Sequence, residues 1–295
     1  MKDIFEDLLF LPYIKFSKSI IKYYAKSFYF ASAFLPKRKK LATYIIYSFC
    51  RYVDNIIDKP RSRSKEELNY ELDSIKTELS MAYKYGESEH PILGIFIKVI
   101  KQYGIPIEYA FDLIEGVRMD LNYYRYENFD ELYKFCYRVA AVVGLMMTYI
   151  LGFKNENTLI YAEKLGIAMQ LTNILRDIKE DKDNGKIYLP LDEIKEYKLS
   201  EEDFIHENFN ENFKNFIIFQ SNRAKTFYDE SKDGIPMLDK DSRFAIYAAL
   251  KIYSGILQEI EKLDYNVFKQ RAYVSTSKKI SILVTEYFRN VLKFD

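Results

Sequence analysis

Apolar residues recur at helical spacing through almost the whole chain, and this pattern restricts the fold more than any other feature. Residues three or four apart share one helix face, as Ile45, Phe49 and Val53 do. Only 10 glycines and 7 prolines interrupt the 295 residues, and we find no hairpin pattern, βαβ pattern, repeat or flexible linker. The sequence therefore predicts an all-α helical bundle, organised as a single domain over residues 1–295.

The prolines fall near changes of the apolar pattern, where helices commonly begin or end. The predicted helices cover approximately residues 18–34, 37–58, 65–84, 91–103, 107–122, 129–152, 157–182, 211–232, 241–264 and 275–292. The longest apolar run, residues 139–153, is short for a membrane span and contains two glycines. We therefore expect it to be a buried core helix.

Charge and reactive side chains exclude several classes of function. With 44 basic and 43 acidic residues the net charge is +1, which argues against a nucleic-acid partner. Cys50 and Cys136 lie in apolar helical pattern and are expected to be reduced core thiols, whereas His90 and His206 lie in polar segments. No Ser-His or Cys-His nucleophile and no histidine metal centre is indicated. The chemistry must therefore depend on carboxylates, cations, hydroxyls and a metal.

The amino terminus has early acidic residues and no cleavage pattern, so it does not resemble a signal peptide. This predicts a cytoplasmic location. An apolar group near the start leaves peripheral membrane contact open: Phe5, Leu8, Leu9, Phe10 and Leu11. The oligomeric state is not indicated by the sequence.

Two pairs of aspartates have a spacing of four residues, Asp54 with Asp58 and Asp177 with Asp181. On a helix this spacing places both carboxylates of a pair on one face. The face of the second pair continues with further polar residues: Gln170 and Asn173. Two such faces opposite one another would form a cage for Mg²⁺ and diphosphate.

Acidic pairs at this spacing also arise by chance. With 43 acidic residues in 295, chance alone gives roughly six pairs, mostly on solvated faces. Both aspartate pairs are instead surrounded by isoleucine, leucine, valine and phenylalanine, and each has an arginine nearby, Arg51 or Arg176. Carboxylates on otherwise buried helices need a metal or a cationic partner. Spacing alone leaves both explanations open.

Three further segments bear on this site. Residues 183–190 end the second acidic helix with turn chemistry and bring Lys186 and Tyr188 next to it, so they could act as a lid. Residues 27–36 and 135–147 mix aromatic with small residues. Such surfaces indicate either close helix packing or the wall of an apolar tunnel.

Several motifs occur in a specific order along nearly the whole chain. They are KSF (26–28) with LP (35–36), YSFCRYVDNIID (47–58), MDL (119–121) with RY (125–126), YRVA (137–140), NILRDIKED (173–181) with IYLP (187–190), YSGIL (253–257) and RAYV (271–274). Together they resemble the squalene and phytoene synthase family, the head-to-head prenyltransferases.

The resemblance implies the isoprenoid synthase fold, in which helices surround a central cavity. It implies that the four aspartates bind Mg²⁺ and take part in catalysis. Asn173 is implied as a further Mg²⁺ ligand, and Arg51 and Tyr253 as further catalytic residues. The same resemblance implies a set of substrate-binding residues: Tyr47, Arg51, Gln170, Asn173, Arg176, Tyr188, Tyr253, Arg271, Lys279, Phe28 and Val139.

The implied substrates are two prenyl diphosphates. Loss of the first diphosphate needs its growing charge stabilised by Mg²⁺ and cations, and no protein nucleophile is required. Attack by a double bond of the second substrate gives a cyclopropylcarbinyl diphosphate, and a second ionisation, rearrangement and proton loss then give the linear product. The expected apolar wall that excludes water consists of Phe28, Phe30, Val139 and Leu145.

Three positions depart from the family pattern. Phe135 stands where relatives often have tyrosine, so a hydroxyl is missing, and Tyr137 or the released diphosphate would have to replace its role. Tyr24 stands where many relatives have histidine, and Asn55 replaces a frequent aspartate. None of these changes removes a spaced carboxylate.

Within the family, the chain shows no dinucleotide fingerprint and no apolar carboxyl-terminal tail, which favours a nonreductive reaction. Small residues at 31–33 leave room for long chains, so we expect two geranylgeranyl diphosphates to give phytoene in carotenoid biosynthesis. The alternative is two farnesyl diphosphates giving dehydrosqualene, presqualene diphosphate or squalene. A non-catalytic helical assembly protein is the alternative of another class. A head-to-tail elongase would normally show two DDxxD motifs.

Overall fold

The computed structural model describes residue 5 and residues 10–58, 62–122 and 125–291. Its α-helices, in chain order, are α1 (Leu11–Tyr24), α2 (Lys26–Ser32), α3 (Lys37–Asp58), α4 (Lys65–Tyr85), α5 (Pro91–Tyr103), α6 (Glu108–Asn122), α7 (Phe129–Cys136), α8 (Val142–Leu151), α9 (Asn157–Asp183), α10 (Leu191–Glu196), α11 (Glu201–Ile205), α12 (Glu211–Ser231), α13 (Lys240–Lys262) and α14 (Thr276–Val291). Among these residues the only β pairing is an isolated bridge between Phe153 and Leu238. The predicted all-α class is confirmed.

Local sequence signals account for several helix ends. Ser64 caps α4 in a capping box with Glu67, and the side chain of Asn210 accepts a hydrogen bond at the start of α12. Gly86 and Gly104 end α4 and α5 in the left-handed conformation that glycine adopts readily. These ends agree with the predicted ones within two residues.

The predicted helix over residues 18–34 is wrong in its bounds. The chain forms α1 and α2 instead, separated at Ala25, whose backbone (φ −128°, ψ 59°) is not helical. Because alanine is a good helix former, nothing at this position signals a break. The helices α10 and α11 were not predicted, since 6 and 5 residues are too few to show a period.

Two large hydrophobic clusters and a small third one, around Leu151 and Leu238, form the interior of the described chain. One large cluster joins α3, α4, α5, α6 and α8, and the other joins α7, α9, α12 and α13. The helix α9 packs against α8, α12 and α13, whereas α3 packs against α1, α5 and α8. A cavity lies between the two clusters, because residues of α3 and α8 and residues of α9 and α13 all line it.

A π-helical turn, Tyr137–Ala141, joins α7 to α8. Two glycines let neighbouring helices approach this turn: a Cβ added at Gly166 of α9 would lie 2.5 Å from Ala141 Cα, and one at Gly116 of α6 would lie 2.8 Å from Arg138 Cβ. The close approach places Val139 on the cavity wall. Turns of this kind often occur at functional sites.

The ammonium group of Lys39, in the first turn of α3, joins three segments that are distant in sequence. It donates to the backbone oxygen of Leu151 at 2.7 Å, to Asp241 at 2.6 Å and to Asp239 at 3.0 Å. Lys39 therefore connects the start of α3 to the end of α8 and the start of α13. Leu151 and Leu238, next to these contacts, line the cavity.

One helix in the described part of the chain, Phe129–Leu151, is long and apolar enough to cross a membrane by length and composition alone. More than half of its apolar window, 56%, is buried inside the protein, and a buried core helix passes the same test. Of the apolar group predicted to contact a membrane, Phe5 is buried at 8% exposure, while Leu8 and Leu9 lie outside the described residues. The prediction for Phe5 is therefore wrong.

Candidate active site

The cavity between the two clusters has a volume of about 450 Å³. Nine of the fifteen predicted site residues line it: Phe28, Tyr47, Arg51, Asp54, Val139, Gln170, Asn173, Arg176 and Tyr253. They come from the start of α2, from α3, α9 and α13, and from the π-helical turn. Residues far apart in sequence are thus brought to one site, as the motifs predicted.

The face of α9 that lines the cavity changes from apolar to polar along its length. Its lining residues follow helical spacing: Thr158, Tyr161, Ala162, Leu165, Gly166, Met169, Gln170, Asn173 and Arg176. From Thr158 to Arg176 this face extends roughly 27 Å at 1.5 Å per residue. The cavity is therefore elongated, with a charged end toward the carboxyl terminus of α9 and an apolar end toward its amino terminus.

The helix α3 also places its charged residues at the charged end of the cavity. Tyr47, Cys50, Arg51 and Asp54, on one face of its second half, line the cavity. Lys39, near the other end of α3, contacts the segments of Leu151 and Leu238 at the apolar end. Lys39 and Asp54 are roughly 22 Å apart along the helix axis. Both acidic helices thus bring their aspartates to the charged end.

In the first aspartate pair, only the second residue, Asp58, is bound by an arginine from the part of the chain that the structure describes. Asp58 binds the guanidinium of Arg51 at 2.7 Å, and that guanidinium lies 4.3 Å from the centre of the Tyr24 ring. Asp54 has no hydrogen bond or ion pair within the described chain. Burial, followed by repulsion from Asp58, raises the pKa of Asp54 to about 7. Asp54 is therefore the carboxylate of this pair that lacks a cation.

In the second aspartate pair, by contrast, the first residue, Asp177, is the one bound by arginines. Arg176 donates two hydrogen bonds to Asp177, at 2.8 and 2.5 Å, and Arg271 donates a third at 2.7 Å. Burial alone would raise the pKa of Asp177, but these hydrogen bonds outweigh it and hold the pKa below its ordinary value. Burial, followed by repulsion from Asp177, raises the pKa of Asp181 to about 7. The Asp181 carboxylate forms no ion pair within the described chain, and the nearby charge of Lys186 opposes only part of this rise.

Asp120, at the end of α6, is a site residue to which the sequence assigned no role. Its carboxylate accepts a hydrogen bond from the Tyr188 hydroxyl at 2.6 Å and forms an ion pair with Lys186 at 2.7 Å. Its negative charge contributes to the raised pKa of both Asp54 and Asp181. Asp120 therefore lies near both aspartate pairs. The motif MDL (119–121) was the one available signal.

The segment predicted as a lid is held against α6. Arg125 donates to the backbone oxygen of Gly185 at 3.1 Å, and Lys186 and Tyr188 are bound to Asp120. The Tyr188 ring stacks on Phe135, with ring centres 5.3 Å apart and an angle of 9° between planes. Phe135 is 3% exposed and is not among the residues that line the cavity. The ring of Phe135 thus serves to pack Tyr188.

Six predicted residues do not line the cavity: Asp58, Asp177, Asp181, Tyr188, Arg271 and Lys279. Lys279 does not line it and has Lys26 as a charged neighbour, and burial followed by that neighbour lowers its pKa. Burial raises the pKa of the Tyr47 and Tyr253 hydroxyls, so both stay protonated at neutral pH. Arg271 is 59% exposed and reaches the site through Asp177.

Part of the predicted apolar wall is wrong. Phe28 and Val139 line the cavity, but Phe30 and Leu145 do not. The small residues 31–33, expected to leave room for long chains, do not line it either. The break at Ala25 is the physical reason, because it redirects α2 so that Ala25 and Phe28 face the cavity.

The four aspartates do not form a metal cage by themselves. Among the residues that the structure describes, no three His, Cys, Asp or Glu side chains are close enough to hold a metal ion. Asp58 and Asp177 are bound by arginines, which leaves Asp54 and Asp181 as carboxylates without a cation. Mg²⁺ usually takes one or two carboxylates and completes its shell with water and phosphate oxygens. The donor set present fits that mode of binding.

The chain belongs to the squalene/phytoene synthase family, whose pattern matches residues 21–278. It is 38% identical to phytoene synthase 1 of Arabidopsis thaliana over 92% of this chain and 65% of that protein, so it spans about two thirds of that relative's length. It is 35% identical to 15-cis-phytoene synthase of Synechococcus elongatus over 92% of this chain and 91% of that one.

A crystal structure of a dehydrosqualene synthase in complex with a ligand has the same fold, with a TM-score of 0.88 and 29% identity over 96% of this chain and 98% of that one. The predicted isoprenoid synthase fold and the predicted family are thus confirmed. The family consists of prenyltransferases that use prenyl diphosphates and generally require a divalent metal.

Proposed function

We propose that this protein condenses two geranylgeranyl diphosphates head to head to phytoene, a carotenoid precursor, with Mg²⁺ as the metal. The observation that carries the proposal is the elongated cavity, charged at one end and apolar along the rest. A linear prenyl diphosphate has the same division into a charged head and a long apolar chain. The phytoene synthases at 35–38% identity support the choice of the longer substrate.

We infer that Asp54 and Asp181 are the first ligands for Mg²⁺, because no arginine in the described part of the chain binds either carboxylate and the charge of Asp120 acts on both. Asp54 and Asn173 line the cavity and Asp181 lies beyond its lining, while Asp58 and Asp177 would have to leave their arginines to join. When bound, Mg²⁺ stabilises the negative charge that develops on the departing diphosphate.

The diphosphates would be held by cations and hydroxyls at the charged end. Arg51 and Arg176 line the cavity there, and each keeps hydrogen-bond donors beyond those used for its own aspartate. Tyr47, Gln170 and Tyr253 add neutral donors. Arg271, Tyr188 and Lys279 lie outside the lining and would act from its border. Groups placed before the reaction stabilise a developing charge more effectively than water does.

The rest of the cavity serves the carbocations. The first cation is attacked by a double bond of the second substrate, and loss of a proton closes the ring of a cyclopropylcarbinyl diphosphate. The second ionisation, rearrangement and loss of a second proton give the linear hydrocarbon, with the released diphosphate available to accept each proton. No residue forms a bond to substrate. Phe28, Val139 and Met169 contribute apolar wall that keeps water from these cations.

One alternative has an observation in its favour. The dehydrosqualene synthase structure, at TM-score 0.88, supports two farnesyl diphosphates as substrates. A non-catalytic assembly role is less consistent with Asp54, a carboxylate that lines the charged end of the cavity and has no ion pair among the described residues. The chain length of the substrate is therefore the point to test.

The test is to incubate purified protein with farnesyl or geranylgeranyl diphosphate, each with Mg²⁺ or with a chelator, and to identify extracted products by mass spectrometry. We expect phytoene from the longer substrate and none with the chelator. Asp54→Asn should abolish product, whereas Asp130→Asn, an exposed acid at the start of α7, should not. A thirty-carbon product alone would favour the alternative, and no product from either substrate would overturn the proposal.

A further inference from the structure

We propose that the outer face of α1 docks the protein on a lipid bilayer that contains anionic lipid. This inference rests on the proposed function, because both the substrate and the hydrocarbon product partition into bilayers. It is carried by three observations: the charge of the amino-terminal segment, the exposed residues of α1, and the position of α1 beside the cavity.

Basic charge is concentrated near the amino terminus. The whole chain has a net charge of +1, yet residues 8–53 contain nine lysines and arginines and no acidic residue. Several of the nine have partners inside the fold, among them Lys39 with Asp239 and Asp241, and Arg51 with Asp58. In α1, by contrast, the exposed lysines Lys15, Lys18 and Lys22 form no ion pair within the described part of the chain.

The same face of α1 carries exposed aromatic residues. Ile14, Ser17 and Ile21 are buried on the inner face of the helix, which packs against α3. On the opposite side Phe16 is 47% exposed and Tyr23 is 74% exposed, and Pro12 and Ser19 lie in the same row at helical spacing. The row of lysines runs beside this aromatic row. A basic, aromatic helix face is the arrangement that binds in the headgroup region of a bilayer.

The carboxyl-terminal end of α1 reaches the cavity. The Tyr23 ring meets the Tyr24 ring edge to face, with centres 4.7 Å apart, and Tyr24 lines the cavity with Arg51 above its ring. A bilayer in contact with Tyr23 would therefore lie one side chain away from the charged end. A prenyl diphosphate could then enter, and a hydrocarbon leave, with little exposure to water.

Exposed apolar side chains alone do not explain this surface, as α4 makes clear. Tyr70, Tyr85 and Met81 of α4 are exposed to similar or larger extents. The same helix carries five acidic residues against three lysines, the acids being Glu66, Glu67, Glu71, Asp73 and Glu78. An anionic membrane would repel this face, so α4 provides a matched control for α1.

The experiment is flotation of the full-length protein with vesicles of phosphatidylcholine alone or with 30% phosphatidylglycerol, a composition of about one anionic lipid in three. We expect binding to the anionic vesicles that falls with added salt. Lys15→Gln with Lys18→Gln and Lys22→Gln should weaken it roughly a hundredfold, since each lysine near the surface contributes roughly a factor of five. Phe16→Ser should weaken it as well.

The matched controls are Lys84→Gln with Lys134→Gln and Lys195→Gln, three exposed lysines elsewhere, and Met81→Ser on α4, which should bind as the wild type does. Product formation from detergent-dispersed substrate is measured in parallel, and we expect the α1 variants to keep it. Absence of wild-type binding, or equal loss in the control variants, would overturn the docking surface while leaving the proposed reaction intact.

Two other outcomes are decisive. Binding that is lost in the α1 variants, from a protein that forms no prenyl product, would support the docking surface and reject the proposed function. A concentration-dependent dimer abolished by the same variants, without vesicle binding, would identify a second copy of the chain as the occupant of this face and overturn the proposal.

Discussion

The two aspartate pairs have the same spacing and opposite arrangements of charge. In α3 the second aspartate, Asp58, is bound by an arginine and the first has a pKa of about 7. In α9 the first, Asp177, is bound by two arginines and the second, Asp181, has a pKa of about 7. Identical spacing therefore does not mean identical roles. One carboxylate of each pair is bound by arginine, and the other, Asp54 or Asp181, is the one that we propose as a metal ligand.

The largest expected effect concerns turnover. Asp54→Ala and Asp177→Ala should each lower the rate of product formation by about three orders of magnitude, because a metal and its supporting charges contribute several kcal/mol to the transition state. The measurement is product per enzyme under saturating substrate, with circular dichroism to verify that helicity is retained. Turnover near that of the wild type in either variant would reject the site.

Without metal, substitutions in the two aspartate pairs should change the free energy of unfolding differently. Asp177→Asn leaves the mostly buried guanidinium of Arg176 with a weaker partner, so we expect a loss of about 2 kcal/mol in the free energy of unfolding. Asp54→Asn removes a buried charge that has no partner and should leave stability unchanged or raise it. Urea unfolding without Mg²⁺ measures both. Equal losses in the two variants would contradict the division into bound and unbound carboxylates.

The pH dependence of stability follows from the two unbound carboxylates. The pKa values of Asp54 and Asp181 are about 7 in the folded protein against an ordinary 3.8. Between these values the folded state holds more protons than the unfolded state, so metal-free stability should fall as the pH rises from about 4 to 7 and then level off. Mg²⁺ should therefore raise the melting temperature more at pH 8 than at pH 6. A double Asn variant at both positions should lose this difference.

The smallest effect is expected at Asp120, which does not line the cavity but holds Lys186 and Tyr188 beside Asp181. Asp120→Asn should raise the Mg²⁺ concentration needed for half-maximal activity by about tenfold, as is usual for groups that orient metal ligands. Tyr188→Phe removes one hydrogen bond of the same carboxylate and should have a weaker effect. A Mg²⁺ requirement equal to that of the wild type in Asp120→Asn would show that Asp120 is structural only.

The sequence predicts some parts of this site well for a physical reason. The helices α3 and α9 have long apolar faces, so their bounds and the positions of their aspartates follow from helical spacing. Nine predicted residues line one cavity. They could be named in advance because the motifs of a known family gave their positions as a set. The metal and catalytic roles assigned to them stay predictions, as do the single domain and the cytoplasmic location.

Other parts depend on contacts that no local pattern encodes. The choice of Asp58 and Asp177 as the bound carboxylates is set by where three arginine side chains lie in space. The break at Ala25 has no glycine or proline to signal it, and it moves residues 31–33 away from the cavity. Asp120 acquires a role only because the segment after α9 returns to the end of α6.

Lys39 has a consequence for the order in which the site forms. Two ion pairs at the charged end join neighbours within one helix, seven residues apart for Arg51 and Asp58 and adjacent for Arg176 and Asp177. Lys39 instead meets Leu151 and Asp239 across 112 and 200 residues. Contacts of such sequence separation form only after long loops have closed. We expect the charged end to gain its local pairs as the helices form, and the apolar end to close late in folding, when α3, α8 and α13 have all assembled.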